Sequence, residues 1–202
     1  MLSEIVSWIA VALILITATA MLINTDWRIS LGALALQYLA MLWLVTRHLP
    51  FVMGSAKLIT GWMVVAILGM TRLGLTNVEN EEDSFFPRGQ AFRIALMGIV
   101  ALVTAGAASR IEAAIPGLGL PVIAGGLLLI GGGIVHLGVT ANVFRVILGL
   151  LTMLAGFEIL YAAIESAILV TGLLALVNLG LGMLGSYLLL AGSSPLENEK
   201  EL

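Results

Sequence analysis

The chain has no cysteine and very little charge: none of its 202 residues is Cys, and Asp, Glu, Lys and Arg together make up 10%. Without cysteine there is no disulfide framework, no thiolate nucleophile, no Cys-ligated zinc and no iron–sulfur cluster. A soluble domain is about 25% charged, whereas this chain is 60% hydrophobic. A basic stripe or aromatic–basic module is also lacking, which excludes nucleic acid as a partner. The composition is that of an integral protein of a lipid bilayer.

Long apolar runs take the place of the missing charge. A helix needs about 20 mostly apolar residues to cross a bilayer. Runs of that kind predict spans at approximately 4–24, 28–47, 51–72, 91–108, 120–140, 143–164 and 167–191. Their continuous Leu, Ala and Val content favours helices over the short alternating strands of a β-barrel. We therefore predict an all-α fold, a polytopic membrane protein with about seven transmembrane helices in one membrane domain covering 1–202.

Polar breaks separate the predicted spans. The largest is an acidic loop at 73–90, and an acidic tail occupies 193–202. Arg110, Glu112 and Pro116 separate the fourth and fifth spans. A single helix over 143–191 would be about 73 Å long, so we place a turn at Glu165-Ser166. No loop reaches twenty residues, and we therefore expect no catalytic activity of the chain's own, no catalytic residues, no cofactor and no small-molecule substrate.

The distribution of basic residues predicts the orientation. With the N-terminus outside, six basic residues fall on the cytoplasmic side, namely Arg28, Arg72, Arg88, Arg93, Arg145 and Lys200. Only Arg47 and Arg110 then fall outside. Because cytoplasmic loops are enriched in Lys and Arg, we expect a multi-pass protein of the cell inner (plasma) membrane. The loop, the tail and the C-terminus would be cytoplasmic.

Three ionisable side chains lie within or beside the apolar runs, and each has two interpretations. A charge at the bilayer centre costs about 2.5–3.5 kcal/mol on insertion scales, so it needs a partner or a hydrated path. Glu158 is either a proton relay or a hydrogen-bonding group at a helix or subunit interface. Glu165, two helical turns later, is either an outer-side exit for the relay or a cap of an exposed turn. Lys57 either snorkels to the interface or pairs with a carboxylate.

The other polar residues of the spans are predicted to play supporting parts. Gln37 and Asn178 are expected to form hydrogen bonds between helices. His136 is expected near the cytoplasmic end of the fifth span, as a packing residue or a relay. The second histidine, His48, is expected on the opposite side of the membrane, so we predict no metal site.

Three short stretches carry a resemblance to a known family: WRISLG at 27–32 followed by Gln37, GSA at 54–56 leading to Thr60, and VFRVILG at 143–149. The chain resembles hydrogenase-4 component E, a seven-helix membrane subunit whose second helix opens with a similar aromatic-Arg-hydrophobic-Ser stretch. The third stretch is also similar to subunit K of respiratory complex I. The resemblance covers most of the chain in hydropathy and loop layout. It implies a complex I-like membrane arm that moves protons or sodium with buried acids and lysines.

The resemblance also implies where the functional residues lie. The family's buried Glu aligns about a turn or two before Glu158, its Lys aligns near Gly61, one turn after Lys57, and its last-helix Asp aligns near Asn178. The resemblance as a whole implies a non-catalytic subunit of a complex I-like or group 4 hydrogenase-like translocase. Its partners would be antiporter-like membrane subunits, and Glu158, Lys57 and Glu165 would be its relay or coupling groups. The alternatives are a purely structural scaffold subunit and an independent small transporter, which would normally show paired internal repeats.

Overall fold

The computed structural model describes residues 2–75, 89–165 and 167–193. Within these ranges every regular element is an α-helix: α1 (Leu2–Ile23), α2 (Trp27–Val45), α3 (Phe51–Gly74), α4 (Gln90–Ala114), α5 (Leu120–Val139), α6 (Val143–Ile164) and α7 (Ile168–Ser193). All seven described helices are long and apolar enough to cross a membrane, which confirms the predicted fold class. The predicted acidic loop and tail fall mainly on 76–88 and 194–202, outside the described residues.

Helix α4 is longer than the predicted fourth span. The ends of the other helices lie within two residues of the predicted span ends, but α4 continues past 108 to Ala114. Arg110 and Glu112 are therefore helical and do not form part of the break. Ala, Arg and Glu favour helix, and Arg110 is exposed, so its charge does not oppose the extension. The helix stops before Ile115 because Pro116 disfavours helical backbone in the residue that precedes it.

Glycine sets the packing of α5 against α6. A β-carbon at Gly133 would lie 2.7 Å from the carbonyl oxygen of Gly149, and one at Gly156 would lie 2.6 Å from that of Gly126. There is no room for a side chain at these contacts, so the two helix backbones touch directly. More than half of the residues in α2, α5 and α6 are buried, whereas fewer than a third are buried in α3, α4 and α7. The core of the bundle therefore lies around α2, α5 and α6.

Contacts between distant parts of the chain define the two ends of the bundle. At one end, Nε2 of His48 lies 2.8 Å from the carbonyl oxygen of Leu118, joining the segments that follow α2 and precede α5. At the other, the carbonyl of Leu22 in α1 accepts a hydrogen bond from Arg93 at 2.8 Å, and a carbonyl just after α1 accepts one from Arg145 at 3.0 Å. The second of these carbonyls belongs to Asn24. We call these the His48 end and the Asn24 end.

The predicted turn between α6 and α7 is confirmed. Helix α6 ends at Ile164 and α7 begins at Ile168, while Ser166 lies outside the described residues. Glu165 has an extended backbone, with φ −138° and ψ 134°, and its N–H donates to the carbonyl of Tyr161 at 2.9 Å. The chain thus reverses direction at the His48 end.

Candidate functional site

A lysine and a glutamate form an ion pair inside the bundle. Nζ of Lys57 on α3 lies 2.8 Å from Oε2 of Glu158 on α6, and each residue is 3% exposed. Of the two interpretations of Lys57, the structure shows the pairing with a carboxylate. Both residues lie six positions from the His48 end of their helices, after Phe51 and before Ile164. At 1.5 Å per residue this is a depth of about 9 Å below the helix ends.

The buried face of α3 carries Lys57 into the bundle. The residues of that face recur every three or four positions, as Gly54, Lys57, Gly61, Val64 and Leu68, which is the spacing of one side of an α-helix. Gly61, one turn after Lys57, is required because a β-carbon there would overlap the ring of Tyr38. In this chain the space is filled by an aromatic ring from α2.

A second buried pair lies beside the first. The hydroxyl of Tyr38 on α2 donates to Oδ1 of Asn178 on α7 at 2.8 Å, and both residues are 2% exposed. The ring of Tyr38 packs at Gly61, one helical turn along α3 from Lys57. The interhelical hydrogen bond predicted for Asn178 is confirmed. Its partner, Tyr38, is not among the predicted site residues.

Gln37 joins α2 to α6. Its Oε1 accepts a hydrogen bond from Oγ1 of Thr152 at 3.3 Å, which confirms its predicted interhelical role. The residue is fully buried, and Nε2 of the same amide has no hydrogen-bond partner. We call the set of six residues on α2, α3, α6 and α7 the polar layer: Gln37, Tyr38, Lys57, Thr152, Glu158 and Asn178.

Two of the predicted site residues lie elsewhere. Glu165 follows the last residue of α6 and is exposed at the His48 end, so it does not share a helix face with Glu158. Glu165 is therefore placed as the cap of an exposed turn. It also lies at the end of the bundle where an outer-side exit group would be expected. His136 is buried near the Asn24 end of α5. No hydrogen bond or ion pair between either residue and the polar layer occurs in the described part of the chain.

An apolar layer lies between the Lys57–Glu158 ion pair and the Asn24 end. Its residues are 0% exposed, and they come from α2, α3 and α6: Leu34, Val64, Leu68, Leu148 and Leu151. Helix α7 closes against them, since a β-carbon at Gly182 would lie 2.8 Å from a methyl carbon of Val64. No ionisable residue occurs at 31–36, 61–70, 146–151 or 179–185. Within this chain, the short route from the ion pair to water therefore leads to the His48 end.

The site contains no set of residues suited to a metal ion. Among the described residues, no group of three or more His, Asp or Glu side chains is placed to hold one. Scans against protein-family models, curated proteins and solved structures found no match to the chain. The function is therefore argued from the ion pair and its surroundings.

Sequence reasoning missed Tyr38 and Thr152. A single tyrosine in the middle of an apolar span is compatible with ordinary packing, and a threonine within a helix usually bonds its own backbone. Neither pattern indicates a partner on another helix. The arginines that bond the last turn of α1 were counted only for orientation, because a hydrogen bond across 71 or 121 residues leaves no signal in the sequence.

Proposed function

We propose that the protein is a non-catalytic membrane subunit of a complex I-like or group 4 hydrogenase-like ion-translocating complex. Its Lys57–Glu158 pair would take part in proton or sodium movement, or in coupling that movement to a partner. The observation that carries the proposal is the burial of both charges, each 3% exposed and 2.8 Å apart, within membrane-spanning helices. Ionisable residues in such segments are costly and generally mark ion pathways.

Stability alone is a weak reason for such a pair. Exchanging a buried ion pair for well-packed apolar residues is often neutral or stabilising, so this pair has another use. When Glu158 binds a proton, its carboxylate loses its charge and the attraction to the Lys57 ammonium ends. The hydrogen bonds of Tyr38, Asn178 and Gln37 hold the surrounding helices in place during this change. The loss of the Glu158 charge would change the electric field around the pair, and this change would act on an adjoining antiporter-like subunit.

The position of the pair supports exchange with water at the His48 end. The pair is about 9 Å below that end, and the apolar layer lies on its other side. Glu165 is exposed at the same end and would act as the exit group. We also propose that this end faces outward in the inner (plasma) membrane, since the arginines Arg28, Arg72, Arg93 and Arg145 belong to the Asn24 end.

The test is Glu158→Gln introduced into the assembled complex. Everted membrane vesicles are energised, and acidification of their lumen is followed with a pH-sensitive dye. Complex assembly is measured on native gels, and Glu4→Gln, which alters an exposed acid of α1, is the matched control. We expect normal assembly and reduced proton movement in Glu158→Gln, with no change in Glu4→Gln. Normal assembly with unchanged proton movement would leave a scaffold, and the relay proposal would be abandoned.

Two further measurements complete the test. If Glu158→Gln fails to assemble, the variant Lys57→Gln with Glu158→Gln removes both charges and leaves no unpaired one. Unchanged proton movement in that variant also overturns the relay. Mild-detergent extraction of the wild-type protein tests the assembly itself. A subunit migrates together with antiporter-like membrane proteins, whereas a chain that migrates alone and moves ions by itself is an independent transporter.

A further inference from the structure

Two guanidinium groups are fixed side by side at the Asn24 end. Arg93 from α4 donates through Nη1 to the carbonyl of Leu22 at 2.8 Å, and Arg145 from α6 donates through Nη2 to the carbonyl of Asn24 at 3.0 Å. Because the two acceptors are two residues apart, both cations lie against the last turn of α1. Arg93 forms no other hydrogen bond or ion pair in the described part of the chain. A guanidinium has five N–H donors, so most of those on Arg93 remain available.

A buried imidazole at the same end has one nitrogen without a partner. His136 on α5 is 4% exposed and lies three positions before the end of its helix. Its Nε2 has no hydrogen-bond partner, which is costly for a buried polar atom. Nε of Arg72, at the end of α3, is also buried without a partner. Two buried nitrogens at this end, one on His136 and one on Arg72, thus have no hydrogen-bond acceptor among the described residues.

The described part of this end is rich in arginine. Among the described residues it contains four arginines against one aspartate, Asp26. Arg93 is three positions into α4 and Arg145 two positions into α6, which is about 3–5 Å from the helix ends. Both arginines therefore lie in the first turn of their helices, close to where a membrane-spanning helix meets the lipid headgroups.

We propose that the Asn24 end binds the phosphodiester headgroup of an anionic phospholipid, with Arg93 as its principal anchor. A phosphodiester supplies the acceptor oxygens that this group of nitrogens lacks, together with the opposite charge. Basic pockets between transmembrane helices bind anionic headgroups in this way. Free phosphate has the same acceptor oxygens and negative charge. At the end of a membrane-spanning helix, however, the neighbouring phosphates are those of lipids. The site is separate from the polar layer and does not depend on the proposed ion movement.

The test compares lipids bound to the purified full-length chain in a neutral detergent. The protein receives equal amounts of phosphatidylglycerol and phosphatidylcholine, and native mass spectrometry counts the lipids retained. We expect the wild type to prefer phosphatidylglycerol. Arg93→Gln should lower that preference about five-fold, the effect of one arginine at a membrane surface. Arg110→Gln, at the other end of the same helix, is the matched control and should leave the preference unchanged.

Three results would overturn the proposal. Equal retention of the two lipids by the wild type shows that the arginines serve orientation alone, and this reading does not depend on the folding of any variant. If Arg93→Gln and Arg110→Gln lose the phosphatidylglycerol preference equally, the lipid is attracted by the net charge of the protein and does not bind at a defined site. Full removal of the preference by excess inorganic phosphate assigns the site to a soluble anion. Persistence of the preference in phosphate, with loss in Arg93→Gln alone, supports the lipid site.

Discussion

The strongest prediction concerns the energetic coupling between Lys57 and Glu158. At their separation of 2.8 Å, the attraction between unit charges is about 6 kcal/mol for an effective dielectric constant near 20. Desolvation of the two groups offsets much of this attraction. Removing one partner leaves the other charge buried alone, and such changes cost about 3–5 kcal/mol. We therefore expect Lys57→Gln and Glu158→Gln each to destabilise the protein by about 3–5 kcal/mol.

The double variant distinguishes a coupled pair from two independent residues. Independent losses would add to about 6–10 kcal/mol, whereas a coupled pair loses only the hydrogen bond and the packing, about 1–2 kcal/mol. The charge-reversed variant, Lys57→Glu with Glu158→Lys, should recover part of the stability of either single change. The measurement is reversible unfolding in mixed micelles of increasing dodecyl sulfate content, followed by tryptophan fluorescence, for which the chain has four tryptophans.

One result would refute this reasoning. If the two single losses add within about 0.5 kcal/mol in the double variant, the groups do not interact. Lys57 would then reach the interface separately from Glu158. The proposed relay would lose its physical basis at the same time, because it depends on the carboxylate and the ammonium sharing one site.

Three further predictions concern the surroundings of the pair. Gly61→Ala should destabilise by about 1–3 kcal/mol because its methyl group overlaps Tyr38, whereas Gly32→Ala, with open space beside it, should be neutral or stabilising in the same unfolding assay. Tyr38→Phe should cost about 0.6–1.7 kcal/mol by leaving its acceptor unpaired, and a loss below the error of the assay would contradict the bond. Since the native chain has no cysteine, Ser55→Cys and Leu68→Cys can be compared with a membrane-impermeant thiol reagent. Ser55→Cys should react from the His48 end and Leu68→Cys should not. Labelling of Leu68→Cys would show that water enters the apolar layer and would contradict its proposed role.

The sequence predicts the helices well and their contacts poorly, for physical reasons. Apolar runs of about 20 residues are a constraint of the bilayer itself, so the spans can be read directly. The extension of α4 beyond 108 could not be read from the sequence because Arg110 and Glu112 suggest a break, although charged residues near a helix end are compatible with helix. The individual candidates Lys57 and Glu158 could be found, since ionisable residues in apolar runs are conspicuous. Their pairing could not, because 101 residues separate them.

That separation has a consequence for how the protein is made. Lys57 leaves the ribosome 101 residues before Glu158, which at 5–20 residues per second is a delay of roughly 5–20 s. During this interval α3 has no carboxylate from α6 to neutralise its ammonium, so nascent α3 enters the bilayer as a helix with an isolated cation or stays inside the insertion machinery. The third helix can therefore reach its final position in the bundle only after the sixth helix has been made and Glu158 can pair with Lys57.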